Sequence, residues 1–472
     1  MVKKEIFWMS ALELSKAFDS GELSPVEVLE EVLERVKKFN PELNAIVTPT
    51  IASARAEARK AEKDIKAGKR LSPLQGVPIT IKDLVFTKGV RTTFGSKLYE
   101  NFVPEEDAVI VDRLKKAGSV MIGKTNVPEF GDVAYTDNLI FGPTHNPWDK
   151  SKTVGGSSGG AAASVAAGFG PVASGSDGGG SIRIPSNFCG VYGIKPSFGR
   201  VPCYPKLPAW ETLNCEGPIT RNVSDAAAML DIMAGPDDRD RFSLPPSGVR
   251  YLENVEKGID GTKAAYTSDL GYVPVDVEVE NLTRKAAFNF EMLGCEVTGI
   301  KPDWLNMEND FMYLVPAEAV TANEKRLEEW KKVAYPYYAG YIELVKSLKA
   351  RDIIRIQFRR EELWKKVYKI FEKYDFLLTP VTPVPPFDIM PKAAGIPSKI
   401  SGKGVSPVGW MAFTFPFNLT GQPAASVPIA FTTRGLPVGL QVVGRRYGDD
   451  SVLRASRAFE KMFPWQDKKP PL

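Results

Sequence analysis

Gly155-Gly156-Ser157-Ser158-Gly159-Gly160-Ala161-Ala162-Ala163 and, after an apolar run, Gly175-Ser176-Asp177-Gly178-Gly179-Gly180-Ser181-Ile182-Arg183 are the two segments on which the reading of this chain turns. So much glycine and serine would suit a flexible linker. Over residues 155–200, however, they alternate with apolar runs, so the region is folded rather than disordered. Upstream, Val77-Pro78-Ile79-Thr80-Ile81 reads as a short buried strand ending at Lys82-Asp83. Asp107 to Ala117 reads as a helix closed by Gly118, and Ser119 to Ile122 as the apolar strand after it. Strand–helix alternation at this spacing argues for an α/β fold.

Outward from this core, the first 70 residues read as helices. Ser10 with Glu13, and Ser24-Pro25 with Glu27, match capping boxes, and Val28, Leu29, Val32 and Val36 form one apolar face. Residues 236–300 carry one further strand–helix–strand pattern, and residues 316–375 are helical, charged and rich in tyrosine (Tyr335, Tyr337, Tyr338, Tyr341). Phe376 to Pro380 returns to strand texture, and residues 424–444 read as a hairpin turning at Thr433-Arg434-Gly435. No internal repeat is evident. One large domain over 1–472 is expected: helices at 1–70, the glycine-rich core at 71–235, a variable strand and helix excursion over the site at 236–375, and a return to the core at 376–472.

Composition removes several classes of function. Lys+Arg 61 against Asp+Glu 57 leaves +4 over 472 residues, which is no nucleic-acid or membrane-surface signature. No run of 18 apolar residues occurs, so no membrane span is expected, and Met1 to Phe7 lacks the apolar stretch of a signal peptide. Cys189, Cys203, Cys215 and Cys295 include no C-x-x-C pair. A reduced, cytoplasmic protein with no metal and no cofactor is the expectation. Only five glutamines, with Lys/Glu-rich helices, hint at a thermophile. There is a single histidine, His145.

Two familiar patterns fail in context. Gly118 to Thr125 fits G-x-x-x-x-G-K-[ST], the phosphate-binding loop of a nucleotide-binding protein. Here a helix precedes the first glycine, Val120, Met121 and Ile122 belong in a sheet, and Pro128 stands where the phosphate-binding helix should run. Gly155-Gly156-Ser157-Ser158-Gly159 matches the G-x-S-x-G elbow, but that fold needs the order Ser, acid, His, and the only histidine precedes both serines. His145, in Thr144-His145-Asn146-Pro147-Trp148, reads as a packing or surface residue, and Asp237 to Arg241 as a solvated loop.

If serine is the nucleophile and histidine is absent from the site, a neutral lysine can serve as base. Burial favours the neutral form. Lys82 suits this, because a charged residue ending an apolar strand is unexpected unless it faces a site. Gly178, Gly179 and Gly180 would let backbone N–H groups converge beside a serine hydroxyl, as in an oxyanion hole. The same segments also fit a structural turn around ordinary serines.

Taken together, the segments resemble the amidase signature family of serine hydrolases. The resemblance is carried by Gly76-Val-Pro-Ile-Thr-Ile-Lys82-Asp83, Gly123-Lys-Thr-Asn126-Val-Pro-Glu129-Phe, Asn146-Pro-Trp, the two glycine-rich segments, Cys189-Gly-Val-Tyr-Gly-Ile-Lys195-Pro196 and Pro416-Phe417-Asn418-Leu419-Thr420-Gly421-Gln422-Pro423-Ala424. It covers most of the chain and is weakest at 236–375. It implies a single α/β/α domain around a mixed, mainly parallel sheet covered by helices. It also implies a Ser–cis-Ser–Lys triad, with Ser181 as nucleophile, Ser157 as bridge after a cis bond at Gly156, and Lys82 as base. The oxyanion would sit on the N–H groups of Gly178, Gly179, Gly180 and Ser181. Gly156, Ser158, Asp177 and Arg183 would support the site.

In relatives the stretch here spanning Phe130 to Thr136 lines the acyl pocket, with the middle helices and the 410–416 segment. Gly131, Asp132, Tyr135 and Met411 are therefore the expected substrate contacts, with Trp410 and Phe413 beside them. Such a pocket suits aryl or acyl amides, fatty amides or carbamates. The family also contains the glutamine-hydrolysing catalytic chain of tRNA-dependent amidotransferases. There an Asp stands five residues before the proline of Pro-x-Asn-Leu; Met411 occupies that place, and the arginine motif of those chains is not recognisable around Arg359 and Arg360. The expectation is a linear-amide hydrolase whose partner is a small-molecule amide. Assembly as a homodimer is left open.

Overall fold

The computed structural model describes residues 5–206, 209–389 and 396–472. Residues 1–4, part of the stretch read for a leader, lie outside them. Helices Ala11–Ser20, Pro25–Leu43 and Ile51–Lys66 open the chain. Ser10 Oγ accepts from the Glu13 N–H at 3.0 Å while Glu13 Oε2 accepts from the Ser10 N–H at 2.7 Å, a complete capping box. At the second helix the Ser24 half forms, accepting from the Glu27 N–H at 3.1 Å with Pro25 leading.

Eleven strands make one sheet. They are β1 (Ile46–Pro49), β2 (Pro78–Lys82), β3 (Val120–Thr125), β4 (Val172–Asp177), β5 (Tyr192–Lys195), β6 (Cys215–Thr220), β7 (Lys263–Tyr266), β8 (Glu296–Gly299), β9 (Phe376–Pro380), β10 (Ala424–Phe431) and β11 (Pro437–Gly444), in the spatial order β1-β3-β2-β4-β6-β5-β10-β11-β9-β7-β8. The parallel character expected of it is carried by two blocks, β3-β2-β4 and β9-β7-β8. The five pairings between the blocks are antiparallel, one of them the tight hairpin of β10 and β11, whose short turn permits no other sense. β1 lies among the N-terminal helices, where no strand was expected.

Alternation along the strands assigns the two faces. Ile79, Ile81, Ile194, Leu378, Val427 and Val442 enter one core with the helices Val109–Lys116, Val223–Met233 and Asp449–Met462. Val120, Ile122, Ala173 and Ile219 face the other way, onto the alanine-rich helix Gly159–Ala166; Leu377, Ala424 and Val443 do so onto Arg183–Cys189 and Ala350–Phe371. The result is the helix–sheet–helix sandwich foreseen. Within it, Gly123-Lys124-Thr125 is strand rather than loop, so no phosphate cradle exists there. The 236–375 region returns β7 and β8 to the sheet, then sends helices Glu308–Ala322, Leu327–Val333 and Tyr338–Ser347 across the end of the strands.

Candidate active site

The site is built where β2 and β4 end beside the starts of two buried helices. Lys82 is the last residue of β2 and is fully buried. Its Nζ donates to Ser157 Oγ at 2.8 Å, Ser176 Oγ at 2.9 Å and the Ser176 carbonyl at 3.1 Å. Burial pulls the amine down to about 7, with the Asp177 and Glu216 carboxyls pulling against it. No carboxylate touches it, so the neutral form is accessible at neutral pH.

Ser157 follows a cis peptide at Gly156 and leads into the helix Gly159–Ala166. A Cβ on Gly156 would stand 2.7 Å from the Tyr135 nitrogen, so only glycine allows this approach. Ser158 ties the two serine segments together: its N–H donates to the Ser181 carbonyl at 3.1 Å and its Oγ to the Ser176 carbonyl at 3.1 Å. Ser181 ends the Gly178–Gly180 turn after β4, just before the helix Arg183–Cys189.

Asp177 and Arg183 brace that turn. Arg183 Nε and Nη2 meet the two Asp177 oxygens at 2.9 and 2.8 Å. Its remaining donors reach the Thr414 carbonyl, Gln441 and Asn418. Burial alone would raise the Asp177 carboxyl, but the Arg183 guanidinium and the Asn418 amide hold it well below the usual carboxylate range. Asp177 Oδ1 also accepts the Gly180 N–H at 2.7 Å. That donor, expected to face the oxyanion, is therefore engaged. The N–H groups of Gly178, Gly179 and Ser181 take no partner among the described residues. Gly180 itself has φ +132°, a backbone that side chains avoid, and a Cβ there would stand 2.4 Å from Thr414 Oγ1.

Two cavities meet at Ser181. The larger, about 160 Å³, has Gly131, Asp132, Tyr135 and Met411 in its wall, together with Trp410. Phe413 is wholly buried in the core instead. Trp210, Phe311, Val315, Tyr337 and Tyr341 are also in the wall; the middle helices were expected there, but these residues were not singled out for it. All but Trp210 come from the region of weakest family pattern, where apolar and aromatic residues at helical spacing look the same in a core and in a pocket. Asp132 accepts from Tyr338 Oη at 2.6 Å and Trp210 Nε1 at 3.2 Å, and burial pushes its carboxyl up to about 8. The smaller cavity, about 50 Å³, holds Ser157, Ser176, Gly178, Trp210 and Glu216.

Ser176 and Glu216 are further site residues that sequence reasoning missed. Ser176 lies inside the second glycine-rich segment. Glu216 carries the signal that singles out Lys82, a charge within an apolar strand. His145 stands apart, with Nδ1 2.9 Å from the Lys150 carbonyl. Among the described residues, no group of three or more His, Cys, Asp or Glu is placed to hold a metal ion, and no helix is long and apolar enough to cross a membrane.

The chain is 39% identical over 475 residues to an acylamidase of Rhodococcus erythropolis, covering 100% of this chain and 98% of that protein. It is 34% identical to a glutamyl-tRNA(Gln) amidotransferase subunit of Geobacter sp. strain M21, covering 99% and 100%. A crystal structure of a bacterial aryl acylamidase superposes with a TM-score of 0.92 at 33% identity, over 98% of this chain and 97% of that one. A 6-aminohexanoate cyclic dimer hydrolase superposes at 0.89 and 29% identity, over 98% and 99%. The sequence profile of the amidase family matches residues 27–453, and with this whole-length similarity the chain belongs to that family, the amidase signature hydrolases acting on amide C–N bonds.

Proposed function

We propose that the protein is a free-standing hydrolase of aryl or acyl amides whose acyl half is uncharged, working through an acyl-enzyme on Ser181. Neutral Lys82 draws a proton from Ser181 through the Ser157 hydroxyl, and Ser181 Oγ attacks the carbonyl carbon. The oxyanion rests on the N–H groups of Gly178, Gly179 and Ser181, while Asp177, by holding the Gly180 N–H, fixes the turn that aims them. Ser157 then returns the proton to the departing nitrogen, the C–N bond breaks, and water attacks the ester by the same relay. The observation that carries this reading is Lys82 Nζ at 2.8 Å from Ser157 Oγ, fully buried and held by hydroxyl and carbonyl groups alone.

The larger cavity suits the acyl half. An apolar cavity of about 150 Å³ holds a benzene ring, and this one is close to that size with aromatic walls. Met411 presents no charge to a substrate ammonium. Arg359 is bound to Asp310 at 2.9 Å, and Arg360 to the Leu419 carbonyl and Thr212, so neither is offered to a substrate carboxylate. These observations favour an uncharged acyl half over that of glutamine. The test is mass spectrometry of Ser181 after fluorophosphonate labelling, with kcat/KM across p-nitroanilides, fatty amides, carbamates and glutamine. Labelling elsewhere would overturn the triad. Efficient glutamine hydrolysis, or dependence on a second protein, would overturn the substrate class.

A further inference from the structure

We propose that Glu216 binds the amine half of the substrate, accepting a hydrogen bond from a second amino or ammonium group carried on the leaving amine. The proposal rests on the roles of Ser181 and Ser157 given above. Glu216 lies on β6 directly opposite Ser176 of β4, so the two side chains share one face of the sheet beside the Lys82 amine. Its carboxyl lines the smaller cavity with Ser157, Gly178 and Ser181. Ser157 borders this cavity and is absent from the wall of the larger one. Because Ser157 hands the proton to the departing nitrogen, the substituent on that nitrogen faces Glu216.

Among the described residues the Glu216 carboxyl makes no hydrogen bond, and Oε2 is buried without a partner. Buried polar atoms are nearly always satisfied, and leaving one unsatisfied is costly. A carboxyl in that state in a substrate cavity calls for a ligand that brings the donor. The neighbouring charged groups are committed elsewhere. Lys206 pairs with Glu211 at 3.2 Å, Asp240 accepts the Cys203 and Phe242 N–H groups, Lys124 is held by Thr87 and Thr92, and Lys82 by the serines. Burial pushes the Glu216 carboxyl up to about 8, with Lys82 pulling against it. The empty site therefore keeps it largely neutral, which spares Lys82 a fixed counter-charge, and an arriving cation draws it into the ionised form.

The amine half can be varied on one acyl-enzyme. Acyl-Ser181 formed from a p-nitrophenyl ester is offered ethylenediamine or n-propylamine, which match in length and differ in the second amino group. The amine nitrogen bonds to the acyl carbon, the bond to Ser181 Oγ breaks, and Oγ recovers the proton through Ser157. Aminolysis rate constants are referred to the free amine. Counted per free amino group, ethylenediamine should be favoured by about tenfold in the wild type, the size of one charge-assisted hydrogen bond, and not at all in Glu216→Leu, which offers no acceptor. A wild-type ratio near one, or an undiminished ratio in the variant, overturns the proposal while acylated Ser181 leaves the parent reading standing. Absence of acylated Ser181 overturns both. The wild-type ratio decides by itself if the variant does not fold.

Discussion

Lys82 and Lys124 lie at the ends of neighbouring parallel strands, one residue out of step: Ile81 pairs with Lys124 and Lys82 with Thr125. Both are fully buried, and burial pulls both amines below the ordinary lysine value. Their surroundings differ in kind. Lys82 meets two serine hydroxyls and one carbonyl. Lys124 meets the Val85 carbonyl, Thr87 and Thr92, with Asp83 at 4.0 Å pulling its proton affinity back up. Burial likewise raises the Asp83 carboxyl, against the pull of Lys124. A buried lysine whose partner hydroxyl leads to a nucleophile can act as a base. A buried lysine matched to a carboxylate holds a loop to a strand.

The comparison breaks first on activity. Ser181→Ala is expected to lose about six orders of magnitude in kcat, and Lys82→Ala nearly as many, since members of such a unit fail together. Circular dichroism of both should match the wild type. If Lys124→Met stayed folded and were equally inactive, the two lysines would not have separate jobs.

Stability should run the other way. Lys124→Met strands the buried Asp83 charge and is expected to cost about 3–5 kcal/mol in urea unfolding at neutral pH. Lys82→Met removes an ammonium that has no carboxylate in contact and should raise the unfolding midpoint below neutral pH. Equal losses in the two variants would erase the distinction.

A pH profile sharpens it further. Lys82 must be neutral to work, so activity should rise through a midpoint near pH 7 to an alkaline plateau. The stability linkage has a definite sign as well. The folded-state value lies below the unfolded one, so between about 7 and the ordinary lysine range the unfolded chain binds more protons, and stability from this group grows as pH rises. Lys82→Met should flatten that slope. An unchanged acid limb in a residually active Lys82 variant would remove it as base.

Much of this contrast could be read in the sequence. Lys82 stood out as a charge ending Val77–Ile81, and Lys124 as the lysine of a phosphate-loop pattern whose flanks were apolar strand. Neither reading needed three dimensions, because strand patterning and breaker residues act locally. What stayed hidden was set by pairing across the sheet. That Ser176 faces Glu216 follows from the register of β4 and β6, and no local signal encodes it. The Gly180 N–H looked like an oxyanion donor because glycine frees a backbone to point anywhere; the Asp177 carboxylate, three residues earlier, decides where it points. The cavity wall is contributed by Trp210, Phe311, Tyr337 and Tyr341 from distant segments, and tertiary packing alone brings them to Ser181.

The smallest expected effect tests the lysine reading from the opposite side. His145 is the one residue whose ordinary chemistry would suit a base at neutral pH, and the chain has no other histidine. Its surroundings give it a packing role. The main-chain N–H donates to the Leu43 carbonyl at 2.9 Å, the residue bridges to Thr153, and the ring nitrogen meets the Lys150 carbonyl. Most of that hold is backbone and survives truncation. His145→Ala should therefore move stability by about 0.5 kcal/mol or less, and kcat/KM by about twofold at most, as for a surface substitution away from the chemistry. The acid limb of the pH profile should keep its midpoint, since Lys82 sets it. Loss of activity on the scale of Lys82→Ala, or loss of the limb with the fold intact, would transfer the base from the lysine between two serines to a histidine outside both cavities, and the division of labour between Lys82 and Lys124 would fall with it.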